Sequence, residues 1–249
     1  MNEGLIKQAK ANMVKVYKAG QENSSDAYDK GFAEGASDER TKTWGMIQNY
    51  GEKTYYNKAF YRTNVDHFYP VHDFHITDAE FMFRDTQGLT KEPFDLSARL
   101  EECGVEMEFS QCTVMTYVFM NSPFTRVPTI DTRSTKALNQ ICRGSKSLVI
   151  VDKVILKDDG SQTFGSPFLG CEALEEITFE GVIGQNGLSF ADSPNLSLGS
   201  MFSIIYMNLA DKSTDTSGTQ WVVTFGATNL AKLPDYAIAA ATQKGWTLA

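Results

Sequence analysis

The stretch PFLGCEALEEITF, Pro167 to Phe179, sets Gly170, Cys171, Leu174 and Ile177 between two phenylalanines. Five residues separate Phe168 from Leu174, and that frame recurs along the chain. Phe190-ADSPN-Leu196 and Phe83-RDTQG-Leu89 repeat it, and Cys142-RGSKS-Leu148 repeats it with cysteine in the aromatic slot. Phe119-MNSPF-Thr125 fits once Phe124 takes the place of the leucine one residue early. The anchors stand at 83, 119, 142, 168 and 190, so the steps are 36, 23, 26 and 22 residues. The last three steps cluster at the length of a leucine-rich repeat.

A short extended segment follows each of the later frames: FTRVPTID, LVIVDKVIL and LEEITFEGV. Alternation in EEITFEGV predicts Ile177 and Phe179 inward, with Glu176, Thr178 and Glu180 outward. The long first step leaves room for FDLSARLEECG as a short helix, or for a further degenerate turn, since VEMEFS alternates like a strand. Each turn would supply a strand, a corner rich in Gly, Asn, Ser and Pro, and a return segment. Stacked turns bury a ladder of Phe, Leu and Ile that no single turn could bury alone.

Phe168, Gly170, Cys171, Leu174 and Ile177, read as Phe-x-Gly-Cys-x-x-Leu-x-x-Ile, resemble the BspA-like leucine-rich repeat. That family occurs in surface-exposed bacterial proteins and in virion proteins of gut bacteriophages. The resemblance covers residues 79–199 and implies a right-handed solenoid with a binding or structural role and no catalysis. Residues 164–184 are the repeat nearest the family pattern.

The flanks are of another kind. Leu5, Ala9, Met13, Val16 and Tyr17 recur at helical spacing, which predicts an amphipathic helix over the first 19 residues. QENSSD breaks it, with Ser25 or Asp26 as an N-cap for the next segment. Gly31 and Gly35, four apart, suit either close helix packing or a frayed segment. YDKGFAEG, Trp44 and YYNKAFYRTN resemble the N-terminal segment of phage-encoded BspA-like proteins, and the Leu…Pro-Asp…Lys-Gly-Trp tail resembles their terminal segment. Near that tail, SLGSMFSIIYMNLAD reads as a helix carrying Met201, Ile205 and Leu209 on one face. WVVTFGATNLAKL reads as a strand and turn, and PDYAIAAATQKGWTLA as a last helix that starts at Pro234 and stops at Gly245. The fold class expected is α/β: an irregular leucine-rich repeat solenoid with an N-terminal helical segment and a C-terminal α/β cap. Its divisions are 1–50 for attachment or self-association, 51–78 as an aromatic connector, 79–199 for the repeats and 200–249 for the cap.

Net charge is −8 in 249 residues, and lysine and arginine form no run, so nucleic acid and anionic lipid are poor partners. No segment approaches the roughly 20 apolar residues of a membrane span, so no insertion is expected. MNEGLIKQAKANMVKVYKAG lacks the pattern of a signal peptide. The expectation is a chain that stays in the cell that makes it, or leaves without a signal, as virus particles do on lysis. Cys103, Cys112, Cys142 and Cys171 form no CxxC pair and read as small buried residues of a reducing compartment.

His67, His72 and His75 lie close together in DHFYPVHDFH beside Asp66 and Asp73, and imidazole with carboxylate is a ligand set for zinc or iron. Pro70 breaks a helical arrangement, and in an extended chain His72 and His75 face opposite ways. No metal and no cofactor is therefore expected. Serines form no Gly-x-Ser-x-Gly elbow, GSKS is no phosphate loop, and no catalytic residue stands out. What remains is the outward strand row of Arg126, Asp152, Glu176, Thr178 and Glu180. It is expected to meet a protein or glycan surface, with assembly or homo-oligomerisation through residues 1–50. The expected role is a phage virion or tail-associated structural protein. The alternative is a bacterial cell-surface or secreted adhesin.

Overall fold

The frame seen in the sequence returns in the backbone as a hydrogen-bond pattern. The structure, a computed structural model, describes residues 56–62, 68, 70, 73–86 and 94–249. The expected N-terminal helix, the Gly31/Gly35 pair, Trp44, Leu89, His67 and His72 lie outside them. At five of the anchors the main-chain N–H donates to the carbonyl just before the next anchor: Phe60 to Met82, Phe83 to Val118, Phe119 to Ile141, Cys142 to Pro167 and Phe190 to Thr224. Phe60 and Phe225 thus belong to the pattern, although they lie in segments read as connector and cap.

Two flanking bonds accompany the anchor bond over four steps. The residue two before each anchor (Lys58, Phe81, Tyr117, Gln140) donates to Glu80, Thr116, Asn139 and Gly165 in turn. The residue two after (Arg62, Asp85, Asn121, Gly144) donates to Arg84, Met120, Arg143 and Leu169. These flanking positions also hold the unusual backbone. Among the described residues, the non-glycine residues at positive φ are Lys58, Arg62, Phe81, Asp85, Tyr117, Asn121, Gln140 and Ser166, every one of them two residues from an anchor. Left-handed backbone costs an L-residue about 1–2 kcal/mol. The corner persists because three N–H groups per turn are satisfied by the next turn. Gly144 takes φ +72 there, and a Cβ on it would sit 2.2 Å from Asn121 Oδ1, so only glycine fits without a shift.

The strands are short, and every pairing among the described residues is parallel. β1 (Phe74–His75) precedes β2 (Phe94–Asp95) and α1 (Leu96–Cys103), and β3 (Met107–Glu108) pairs with β1. The helix expected in FDLSARLEECG is α1, capped by the Asp95 carboxylate, which accepts from Ala98 N at 2.8 Å, and ended by Gly104 at φ +62. The alternating VEMEFS supplies β3 directly after it.

β4 (Phe124–Val127) and β5 (Ile130–Asp131) are interrupted at Pro128, which has no N–H to give a ladder. β6 (Ala137–Asn139) pairs with β8 (Thr163–Gly165). β7 (Ile150–Ile155) is the centre of the largest sheet: β4 and β5 pair with it in succession, and β9 (Glu176–Glu180) also pairs with it. Val127, Val151 and Ile177 align, as do Ile130, Val154 and Phe179, and all six are buried. Val127 lies eight residues after its anchor, whereas Val151 and Ile177 lie nine after theirs. The register therefore absorbs a one-residue deletion, and buried Phe124 stands where Leu148 and Leu174 stand in the next turns.

Anchors stack in two runs. Phe60, Phe83 and Phe119 have centroids 4.7 and 5.6 Å apart within 10° of parallel, and Phe168, Phe190 and Phe225 follow at 5.6 and 6.0 Å. Cys142, fully buried, holds the place between the runs. Three residues after an anchor comes a buried small polar side chain. Ser145 Oγ donates to Phe119 O at 2.6 Å, Cys171 Sγ to Cys142 O at 3.1 Å and Ser193 Oγ to Cys171 O at 2.9 Å.

The C-terminal segment departs from expectation in detail. α2 (Leu198–Phe202) runs into a π-helical turn, Ser203–Asn208, and Met201, Ile205 and Leu209 are buried as read. β10 (Trp221–Val223) is followed by a short helix, α3 (Ala227–Leu230), where a turn was expected. α4 (Asp235–Gln243) ends by Gly245 at φ +80, but the chain then forms β11 (Trp246–Leu248), parallel to β10. The tail is strand because Trp221 and Trp246 pair across it with rings 5.8 Å apart. The described chain is thus mixed α/β, built on parallel sheets with few helices, and none of these helices is long and apolar enough to cross a membrane.

Phe168→Ala removes a ring that stacks on Phe190 and meets Phe179 edge-on. It is expected to cost about 3–5 kcal/mol in urea unfolding. A loss near that of a surface substitution would contradict the stacked core.

Candidate binding surface

Of the residues expected outward on the strand row, Glu176, Thr178 and Glu180 are exposed and Arg126 and Asp152 half-buried, and the β7–β9 register explains their grouping. Val151 pairs with Ile177 and Val154 with Phe179, so Asp152 and Lys153 together oppose Thr178. This bulge throws two charged side chains out of the ladder. Asp152 Oδ1 accepts from Arg126 Nε at 2.5 Å, and Lys153 Nζ reaches Glu180 Oε2 at 3.0 Å. Arg126 and Asp152 therefore meet. Glu176 and Thr178 are exposed on β9, and among the described residues Glu176 has no ion pair.

The row holds more than sequence reasoning assigned to it. Asp131 aligns with Ile155 and Glu180 through β7, and Arg133 bonds the Asp131 carboxylate with Nη2 at 2.6 Å. Lys153, Asp131 and Arg133 went unnoticed because the bulge and the register, not the alternation, bring them to this face. Lys153–Glu180 is exposed on both sides, and a pair of that kind contributes about 0.2–1 kcal/mol. Asp131 is instead buried beneath its pair with the exposed Arg133. Beside the row, an open groove of about 410 Å³ runs between α1 and β4, with Glu101, Glu106, Arg126 and Asp152 among its walls.

A second surface forms at the corners. Lys58, Phe81 and Tyr117 stand two before successive anchors, and Tyr61 and Arg84 one after. The stacking of the turns brings them into one column. Phe81 and Tyr117 stack at 5.1 Å and 15°, and Tyr61 meets Phe81 edge-on at 6.4 Å. The Arg84 guanidinium lies 5.1 Å from the Phe81 ring, 5.2 Å from Tyr117 and 5.9 Å from Tyr61. Lys58 Nζ lies 5.5 Å from the Phe81 ring, and Arg62 4.9 Å from Tyr61. The only sequence signal for this column is the repeat itself, carried out to residues two before and one after each anchor.

The histidine cluster resolves in part. His75 Nδ1 lies 2.9 Å from Glu108 Oε2 across the β1–β3 pair. The Ser110 hydroxyl and His75 hold the Glu108 carboxyl below its usual range. His67 and His72 lie outside the described residues, and no group of three or more potential ligands occurs among the described ones. Cys112, Cys142 and Cys171 are buried and carry free thiols, and Cys103 is half-buried. Burial pushes the Cys112 thiol up to about 11 and the Cys171 thiol up to about 12. Such thiols are poor nucleophiles.

Compared with known proteins, the chain matches no family model, no curated protein and no solved structure.

Protein purified without a polyhistidine tag is expected to carry no stoichiometric zinc or iron by elemental analysis. Metal present in the wild type and lost on His72→Ala would contradict this. A second test is electrostatic. Burial alone would raise the Asp131 carboxyl, but the hydrogen bonds from Arg133 outweigh it and lower the pKa. A lowered folded-state pKa gives stability that is present above the unfolded value and is lost as pH falls through the folded one. Arg133→Gln should raise the Asp131 titration midpoint by NMR and remove that acid-side part of the stability. An unchanged midpoint would show that the pair is not formed in solution.

Proposed function

We propose that this chain is an irregular leucine-rich repeat solenoid that serves as a non-enzymatic binding module of a bacteriophage virion or tail. The observation that carries this reading is the ladder of parallel turns, with three main-chain bonds at each of four steps. A stack of that kind is rigid, and it offers a broad face made of one or two outward residues per turn. The face of Arg126, Asp152, Glu176, Thr178 and Glu180 is wide and charged, and the groove beside it is open to solvent. It suits a large protein or glycan surface better than an enclosed small molecule. The resemblance of YDKGFAEG and of the C-terminal segment to phage-encoded BspA-like proteins supports the virion assignment. Residues 1–50 then carry attachment or self-association, which adds avidity to a weak single contact.

Antibody labelling of particles and of producing cells, viewed by negative stain, is the direct test. Label on tails or capsids is the expected outcome, and label confined to the cell envelope would favour an adhesin instead. Removal of residues 1–50 is expected to leave a folded monomer that has lost assembly. An unchanged oligomer by light scattering would place assembly elsewhere.

A further inference from the structure

The corner column of cations and rings lies apart from the strand row and answers to another chemistry. The chain as a whole is acidic, at −8, and no run of basic residues exists in it. Yet stacking brings Lys58, Arg62, Arg84 and Arg143, spread over more than 80 residues of sequence, to one series of corners. Arg62 and Arg84 lie on neighbouring turns, joined by the Arg62 N to Arg84 O bond at 3.0 Å. Arg143 lies two turns on from Arg84, through the Asp85 N to Met120 O and Asn121 N to Arg143 O bonds at 2.8 and 2.9 Å. One carboxylate, Asp85, is shared among them: Arg84 Nε lies 3.3 Å and Arg62 Nε 3.9 Å from its Oδ2. Asn121 Nδ2 also donates to Asp85 Oδ1 at 2.8 Å, which leaves that carboxylate heavily engaged. The Arg62 side chain is 69 % exposed.

The rings decide what kind of ligand fits. Phe81 is stacked on Tyr117 and covered by Lys58 and Arg84, so a half-buried ring offers solvent its edge. An aromatic edge carries the positive part of the quadrupole and favours anions. Guanidinium groups add forked donors that match carboxylates. Stacked parallel turns repeat at about 4.8 Å, so positive groups recur along a line. A single-stranded nucleic acid is the poorer match, because it binds through open ring faces on which bases stack. Here Phe81 and Tyr117 take up a face of each other, and Lys58 and Arg84 crowd Phe81.

We infer that the corner column formed by Lys58, Arg62, Phe81, Arg84 and Tyr117 is a binding surface for a linear acidic polysaccharide bearing carboxylate groups. The ligand runs along the stack, its carboxylates toward the guanidinium and ammonium groups. This goes beyond the strand-row reading and does not depend on it.

The test uses the full chain and three probes in fluorescence anisotropy: labelled polygalacturonate, neutral dextran and oligo(dT). Polygalacturonate is expected to bind and dextran not to. Its affinity should fall steeply from about 20 to about 500 mM sodium chloride, as screening requires. Arg84→Gln should weaken it about ten-fold, the scale of one lost charge-assisted hydrogen bond. Arg62→Glu, at an exposed side chain that the fold does not need, should weaken it at least as much. Lys136→Gln removes the same charge from an exposed site outside the column, and should leave the affinity within about two-fold. The inference is overturned by equal binding of dextran, by tighter binding of oligo(dT), or by no polygalacturonate binding even at low salt. It is equally overturned if Arg62→Glu binds like the wild type, or if Lys136→Gln weakens binding as much as the column variants.

Discussion

The corner hydrogen bonds between successive turns are the constraint on which the rest depends. A corner that turns sharply has N–H groups pointing out of it, and burying them without partners would cost about 1–3 kcal/mol each. Here the next turn supplies the carbonyls, three at a time. The left-handed residues two before and two after Phe60, Phe83, Phe119, Cys142 and Phe168 are tolerated for the same reason, since they lie where these bonds are made. Neither the strain nor the bonds make sense for a turn taken alone.

From this arrangement the core follows. Because corners are held one above another, the anchor rings come into near-parallel stacks, and the strands after them fall into parallel register. The buried residues are mutually dependent: Val151 lies between Val127 and Ile177 and has no other place to go. The small polar residue three after each anchor serves the same end. Ser145, Cys171 and Ser193 each donate to a main-chain carbonyl of the preceding turn, at 2.6, 3.1 and 2.9 Å. Cysteine at 171 acts as one more short donor in that series, which accounts for its burial without any redox role.

The outer surfaces are consequences of the same stack. On the strand side, alternation sets which residues leave the core, and the β7 bulge then adds Asp152 and Lys153 to what alternation alone would expose. On the corner side, the left-handed turn carries Lys58, Phe81 and Tyr117, each two before an anchor, and Tyr61 and Arg84, each one after, out of the core. Residues 23 or 36 apart in the chain become neighbours there, as Lys58, Phe81 and Tyr117 show. An acidic protein thereby acquires a local line of positive charge.

Much of the repeat was legible in the sequence, because burying an aromatic every 22 to 36 residues and alternating after it leaves a pattern in side-chain type. Phe83, Phe119, Cys142, Phe168 and Phe190 were readable on that ground, as were the short helix in FDLSARLEECG and the outward set Glu176, Thr178 and Glu180. Phe60 and Phe225 escaped, since no leucine follows either of them at the expected place. The tail after Gly245 read as the end of a helix and is a strand, because only pairing with Trp221–Val223 makes WTL extended. The bulge at Asp152–Lys153, the ion pairs it creates and the ring-and-arginine column belong to tertiary structure alone. Their physical cause is register: which turn lies on which, and by how many residues it is offset, is set by packing between segments that the linear sequence keeps far apart.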